Sequence, residues 1–172
     1  MGMDVYGKNP ATDTGEYFRR NVWGWRPLWQ YCVDTHPELA NKVKYAQSND
    51  GDGLNAEDSV ALAHLLKLDL VNGNAELYIT NRNKELSELP RPECELCSGT
   101  GIRTDQVGVE NGMPERKLEP EMAVLVGREF GWCNACNGEG KTDAWETHYY
   151  LDLDDISEFA EFMENSGGFE IC

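Results

Sequence analysis

No run of this sequence approaches the roughly eighteen consecutive apolar residues of a membrane-spanning helix, and positive charge is scarce: 15 Lys and Arg stand against 31 Asp and Glu, for a net charge of −16. The first absence argues against a membrane span. The second argues against unaided nucleic-acid binding, because such a surface repels phosphate backbones. Histidine is also rare, at three residues, and His36, His64 and His148 fall at no ligand spacing. None of G-x-S-x-G, the P-loop, G-x-G-x-x-G or H-E-x-x-H occurs, so no enzyme class has a motif behind it. The opening Met1-Gly2-Met3-Asp4 has no basic and then apolar leader, which predicts a cytoplasmic protein. Tyr6 stands where a myristoylation signal wants Ser or Thr.

What is present is ordinary globular material. At 172 residues, with 40% hydrophobic residues, 10% aromatics and five Trp, the chain has enough apolar surface for a core. Its acid is unevenly placed, since residues 142–172 contain nine Asp or Glu and no Lys or Arg. Solubility accounts for such a charge in general; as a function it favours a protein partner with a basic surface.

Period and punctuation predict the elements. Met3 to Gly7 alternates as a short strand, and Lys8 to Gly15 reads as a loop. A helix is expected around Pro27, placed in its first turn, with Leu28, Tyr31 and Cys32 at helical spacing and an end near Asp34. A second is expected from Pro37 to Ala46. A third should run from Ala56 to about Leu70, capped by Asn55, with a surface so broadly apolar that most of it is buried. A fourth is expected from Asn74 to Asn83, ending before Pro90 and Pro92. Toward the C-terminus, Thr147 to Leu153 reads as a strand. Asp154 then caps a helix from Asp155 to about Asn165, Gly167-Gly168 ends it, and Phe169 to Cys172 forms a short edge strand.

One short motif occurs twice. Cys94-Glu95-Leu96-Cys97-Ser98-Gly99-Thr100-Gly101 and Cys133-Asn134-Ala135-Cys136-Asn137-Gly138-Glu139-Gly140 both fit C-x-x-C-x-G-x-G. A C-x-x-C turn presents two thiolates to two corners of a tetrahedron, and two turns complete a zinc shell. The glycines let the chain turn sharply and bring backbone N–H groups to the sulfurs. Redox pairs or secreted disulfides are the competing readings, and neither a leader nor a thioredoxin-like strand and helix pattern supports them. One structural zinc ion held by Cys94, Cys97, Cys133 and Cys136 is expected, with iron as the alternative metal. Between the pairs, Asn111-Gly112 signals a hairpin turn.

The repeated motif resembles the cysteine-rich domain of DnaJ-type chaperones, over residues 94 to 140. Those proteins carry four copies and two zinc ions, and the domain contacts unfolded clients or partner proteins. Two copies here imply one zinc. The His-Pro-Asp signature of a J domain is missing, since His36-Pro37 is followed by Glu38, so co-chaperone activity is not implied. The chain ends, Met1 to Pro10 and Gly167 to Cys172, resemble a group of small uncharacterised bacterial and phage proteins, which implies a phage or mobile-element accessory protein but no activity.

Other residues compete for attention. Asp50-Gly51-Asp52-Gly53 has the look of a calcium loop, but Ser48 and Ser59 occupy the first and last loop positions, and an Asx turn leading into a capped helix fits better. Arg19, Arg20 and Arg26 with Trp23, Trp25 and Trp29 form a basic and aromatic cluster on which a base could stack. Core packing of the Trp residues, with the arginines paired to C-terminal acids, is the preferred alternative. His64 reads as a hydrogen-bonded core residue, and Cys32 and Cys172 as small buried hydrophobes.

The expected fold is α+β: a mainly helical N-terminal half, an inserted two-knuckle zinc module with β-hairpins, and a C-terminal strand and helix. Residues 1–90 and 142–172 form one domain and 91–141 the insert. The expected function is a small acidic, zinc-stabilised adaptor or inhibitor of a host protein. The alternative is a metal-dependent hydrolase or nucleotide-binding protein, with Asp50 and Asp52 holding a divalent ion and Arg19, Arg20, Trp23, Trp25 and Arg26 a phosphate or base.

Overall fold

Alternation along β1 (Gly2–Gly7) buries Met3 and Val5 on one face and leaves Tyr6 in solvent on the other, as a half-buried strand requires. The computed structural model describes residues 2–103, 105–106, 117–127 and 131–172; the Asn111-Gly112 turn lies outside them. After a 3₁₀ turn at Asp13–Gly15, β2 (Tyr17–Asn21) returns antiparallel to β1 with Val5 opposite Phe18. Sequence reasoning gave no strand here, because Phe18 is the lone buried residue of a Tyr-Phe-Arg-Arg-Asn run.

The first helix, α1 (Val22–Thr35), starts five residues before Pro27. Asn21 caps it by accepting from the Gly24 N–H at 3.0 Å, and a polar cap at the true start outweighs the preference of proline for a first turn. Helix α2 stops after one turn, Pro37–Ala40. The expected extension to Ala46 is instead a set of turns that bury Val43 and Ala46. Helix α3 (Ala56–Asn72) is capped by Asn55, which accepts from the Asp58 N–H at 2.9 Å, and α4 spans Asn74–Ser87.

Burial on α3 is narrower than its composition predicts. Ser59, Leu62, Ala63, Leu66 and Asp69 make the buried stripe, whereas Val71 is 83% exposed. His64 likewise faces solvent, with its side chain 64% exposed and 3.4 Å from Glu164, so it is no core residue. The two polar members of the stripe have partners. Ser59 donates to the Met163 carbonyl at 2.9 Å, and Asp69 accepts from Tyr31 at 2.8 Å and lies 2.7 Å from His36.

The expected strand at Thr147 to Leu153 is absent. Trp145–His148 is a 3₁₀ turn, and the last helix, named α6 because α5 (Pro120–Val126) precedes it, runs over Leu153–Asn165. Its cap is Asp152, two residues before the expected one, through a capping box with Asp155 at 2.9 and 3.2 Å. Asp155 is itself held 2.6 Å from Arg20. The final strand, β3 (Phe169–Ile171), pairs antiparallel with β1, giving a sheet of order β2-β1-β3. The outer side of β3 is covered by residues 51–54, through Gly51 N–H to Ile171 O at 2.7 Å, Ile171 N–H to Asp52 O at 2.8 Å and Phe169 N–H to Leu54 O at 3.0 Å.

These elements enclose an aromatic core. Trp25 and Trp29 stack at 5.7 Å, and Phe159 meets Trp25 edge-on at 5.5 Å and Phe18 at 5.1 Å. Each fully buried ring contributes about 1.5–3 kcal/mol, and Trp25 keeps its polar atom satisfied by donating to the Ala46 carbonyl at 2.7 Å. Cys32 belongs to this core, whereas Cys172 is exposed, contrary to expectation. Two compact units result, one of Met1–Ser87 with Glu146–Cys172 and one of Glu88–Trp145.

Replacing Asp152 with Ala removes one half of the capping box. A loss of about 1 kcal/mol is expected, and Asp155→Ala should cost more because it also removes a buried partner of Arg20. Urea unfolding of the two variants measures both.

Candidate metal centre

Each C-x-x-C-x-G-x-G motif folds as a tight knuckle. In the first, the Cys97 and Gly99 N–H groups both donate to the Cys94 carbonyl at 3.3 Å; in the second, the Gly138 N–H donates to the Cys133 carbonyl at 3.0 Å. Ser98 and Asn137, the residues after each pair, adopt left-handed φ of 49° and 54°, where Asn is better tolerated than most side chains. The Gly101 N–H then reaches the Cys97 sulfur at 3.2 Å and the Gly140 N–H the Cys136 sulfur at 3.3 Å. Such donors lower the charge density on a thiolate.

The knuckles are locked to each other. Cys133 N–H donates to Gly101 O at 2.8 Å, and Cys94 N–H to Gly140 O at 2.9 Å. Close approach at this crossing accounts for both last glycines. A Cβ on Gly101 would lie 2.3 Å from the Gly138 oxygen and one on Gly140 2.2 Å from the Gly99 oxygen, at φ of 76° and 75°. The stem below is closed by the Glu93 and Lys141 bridge and by Thr142 N–H to Pro92 O at 3.0 Å.

This crossing brings all four buried sulfurs within 4.8 Å of one another, with Cys94 to Cys133 and Cys97 to Cys136 both at 3.7 Å. A tetrahedron of thiolates about 2.3 Å from a central ion has edges of about 3.8 Å, so the sulfurs fit a metal ion. No other group of three or more His, Cys, Asp or Glu side chains among the described residues is close enough to share one. Without an ion, burial pushes the Cys133 thiol up to about 12. Sequence reasoning missed Arg103. Its buried guanidinium donates to Asp105 at 2.7 and 3.0 Å and to Asn134 Oδ1 at 3.0 Å, beside the cysteines.

The remaining candidates do not converge on one site. Trp25 is core, and Trp23 packs on His148 and Tyr149 at 6.0 and 5.0 Å. Arg19 is exposed 3.4 Å from Asp4. Arg20 binds Asp155 and Glu158 and lies over the Phe18 ring. Arg26 instead donates to the Tyr149 hydroxyl at 3.0 Å. Asp50 accepts from the Ser48 hydroxyl at 2.5 Å. Asp52 accepts from the N–H groups of Lys44, Tyr45 and Gly53 at 2.6, 2.8 and 2.8 Å, so it ties down its own loop. Burial alone would raise the Asp52 carboxyl, but the N–H groups of Tyr45, Gly53 and Lys44 outweigh it and hold it below the ordinary value.

Two outcomes are expected. Gly101→Ala should weaken metal binding at least tenfold in a competition with a chromophoric chelator, because it forces both a strained φ and a backbone clash. For Asp52, whose folded-state pKa is depressed, the stabilisation is complete above the unfolded value near 4 and is lost as pH falls through the folded one. The stability gap between wild type and Asp52→Asn should therefore be widest near neutral pH and shrink in acid, as followed by urea titrations at several pH values.

Against this geometry, comparison with family models, curated proteins and solved structures returns no match to the chain.

Proposed function

We propose that this chain is a small acidic binding protein, an adaptor or inhibitor of a protein with a basic surface, whose Glu88–Trp145 unit is stapled by one structural zinc ion. The zinc reading is supported by a closed shell of four buried sulfurs, which leaves no coordination position for a substrate or water. Cys94, Cys97, Cys133 and Cys136 would hold the ion. Four thiolates around a divalent ion carry a net charge of about −2, which Arg103 partly offsets.

The observation that carries the binding role is the outer face of α6. Asp154 and Glu161 face solvent two turns apart, and Glu158 between them stays exposed although Arg20 reaches it, in a stretch without Lys or Arg. Charge so displayed steers a basic partner and weakens with salt. A partner encoded by a bacterial host is the target that the resemblance of the chain ends implies.

Elemental analysis of protein purified without added metal should return one zinc per chain; iron in its place would overturn the zinc assignment. Immobilised protein should retain a basic host protein at about 50 mM salt and release it by about 300 mM, where screening is stronger. Asp154→Asn with Glu161→Gln should cut that retention severalfold. Retention that ignores both salt and the double substitution would refute the proposed role.

A further inference from the structure

Six arginines lie among the described residues, and four of them, Arg19, Arg20, Arg91 and Arg103, pair with carboxylates. Arg26 and Arg82 do not. In a chain with twice as many acids as bases, an arginine without a carboxylate is the exception. Both exceptions line the same cavity, of about 340 Å³, together with Gln30, Leu86, Glu146 and Tyr149.

Tyr149 positions both guanidinium groups. Arg26 donates to its hydroxyl at 3.0 Å and lies 5.7 Å from the ring centre, while Arg82 donates to its backbone carbonyl at 2.6 Å. Each guanidinium has five N–H groups and spends one on these bonds. Arg26 and Gln30 are one turn apart on α1, and Arg82 comes from α4, so the two forks are carried by separate helices. Burial holds Arg82 below its ordinary pKa, a cost that a bound anion would relieve.

We propose that this cavity is an oxyanion site in which Arg26 and Arg82 grip the carboxylate or phosphate group of a small ligand, as planar guanidinium forks do. Glu146 is the carboxylate on the lining and makes no ion pair with either arginine. It opposes an incoming anion, so it sets the affinity and screens out weakly held ions. The site is distinct from the acidic face of α6 and adds a small-molecule ligand to a protein-binding role.

The test uses the full metal-loaded chain in thermal unfolding and calorimetric titration, with sodium phosphate and sodium acetate each compared with sodium chloride at equal ionic strength. At ten times the dissociation constant a bound anion should raise Tm by about 3 °C. A larger rise with phosphate identifies a phosphate ligand, and a larger rise with acetate a carboxylate. Arg26→Ala, at an exposed position, should abolish the rise, Arg82→Lys should weaken binding about tenfold by removing the fork, and Glu146→Gln should tighten binding severalfold. No rise above chloride with either anion, or a rise that Arg26→Ala leaves intact, would overturn the proposal.

Discussion

The pairing of β3 with β1, Val5 opposite Ile171, is the constraint on which the larger unit depends. It makes the first strand of the chain the middle strand of the sheet, so the core cannot close until the last residues arrive. Phe169 and Ile171 then complete the wall against which Trp29, Phe159 and Phe162 pack. Contacts of such sequence separation pay their loop-closure entropy before they return any stabilisation. The covering of β3 by residues 51–54 follows from the same arrangement, and Asp52 matters because it holds that covering loop in shape.

The Glu88–Trp145 unit solves a different problem. Among its described residues there is little apolar core beyond the four cysteines, and a segment of its size has little surface to bury. The segments that lead into the first knuckle and out of the second are joined by a hydrogen bond between Thr142 and Pro92. The crossed bonds between Cys133 and Gly101 and between Cys94 and Gly140 align the sulfurs, and an ion would then gain from a prearranged shell.

How much was legible in the sequence depended on how local the cause was. The turn of each knuckle was, because its cysteines and glycines lie within one eight-residue motif, whereas the bonds that cross from one knuckle to the other were not. The Asn55 cap was legible for the same reason. Around Pro27 and Asp154 the local rules chose the wrong start, since Asn21 and Asp152 were equally local and had better geometry. Buried Ser59 and Asp69 were not legible, because what makes them tolerable in a core is Met163 and Tyr31, far along the chain. Nor was the grouping of Arg26 with Arg82 and Tyr149. The cluster of Arg19, Arg20 and Arg26 drawn from adjacency disperses in space, because neighbours along a strand point to opposite faces and Arg26 sits on the next helix.

That dispersal gives one of those arginines another significance. Among the described residues no strand pairs with the outer side of β2, which leaves a row of backbone donors and acceptors able to recruit another chain. Arg19 stands exposed on that strand, and a bulky charged side chain on an edge makes docking of a second strand unfavourable. A residue first weighed as a place to bind something thus works in the opposite sense, as a guard against growth of an open sheet.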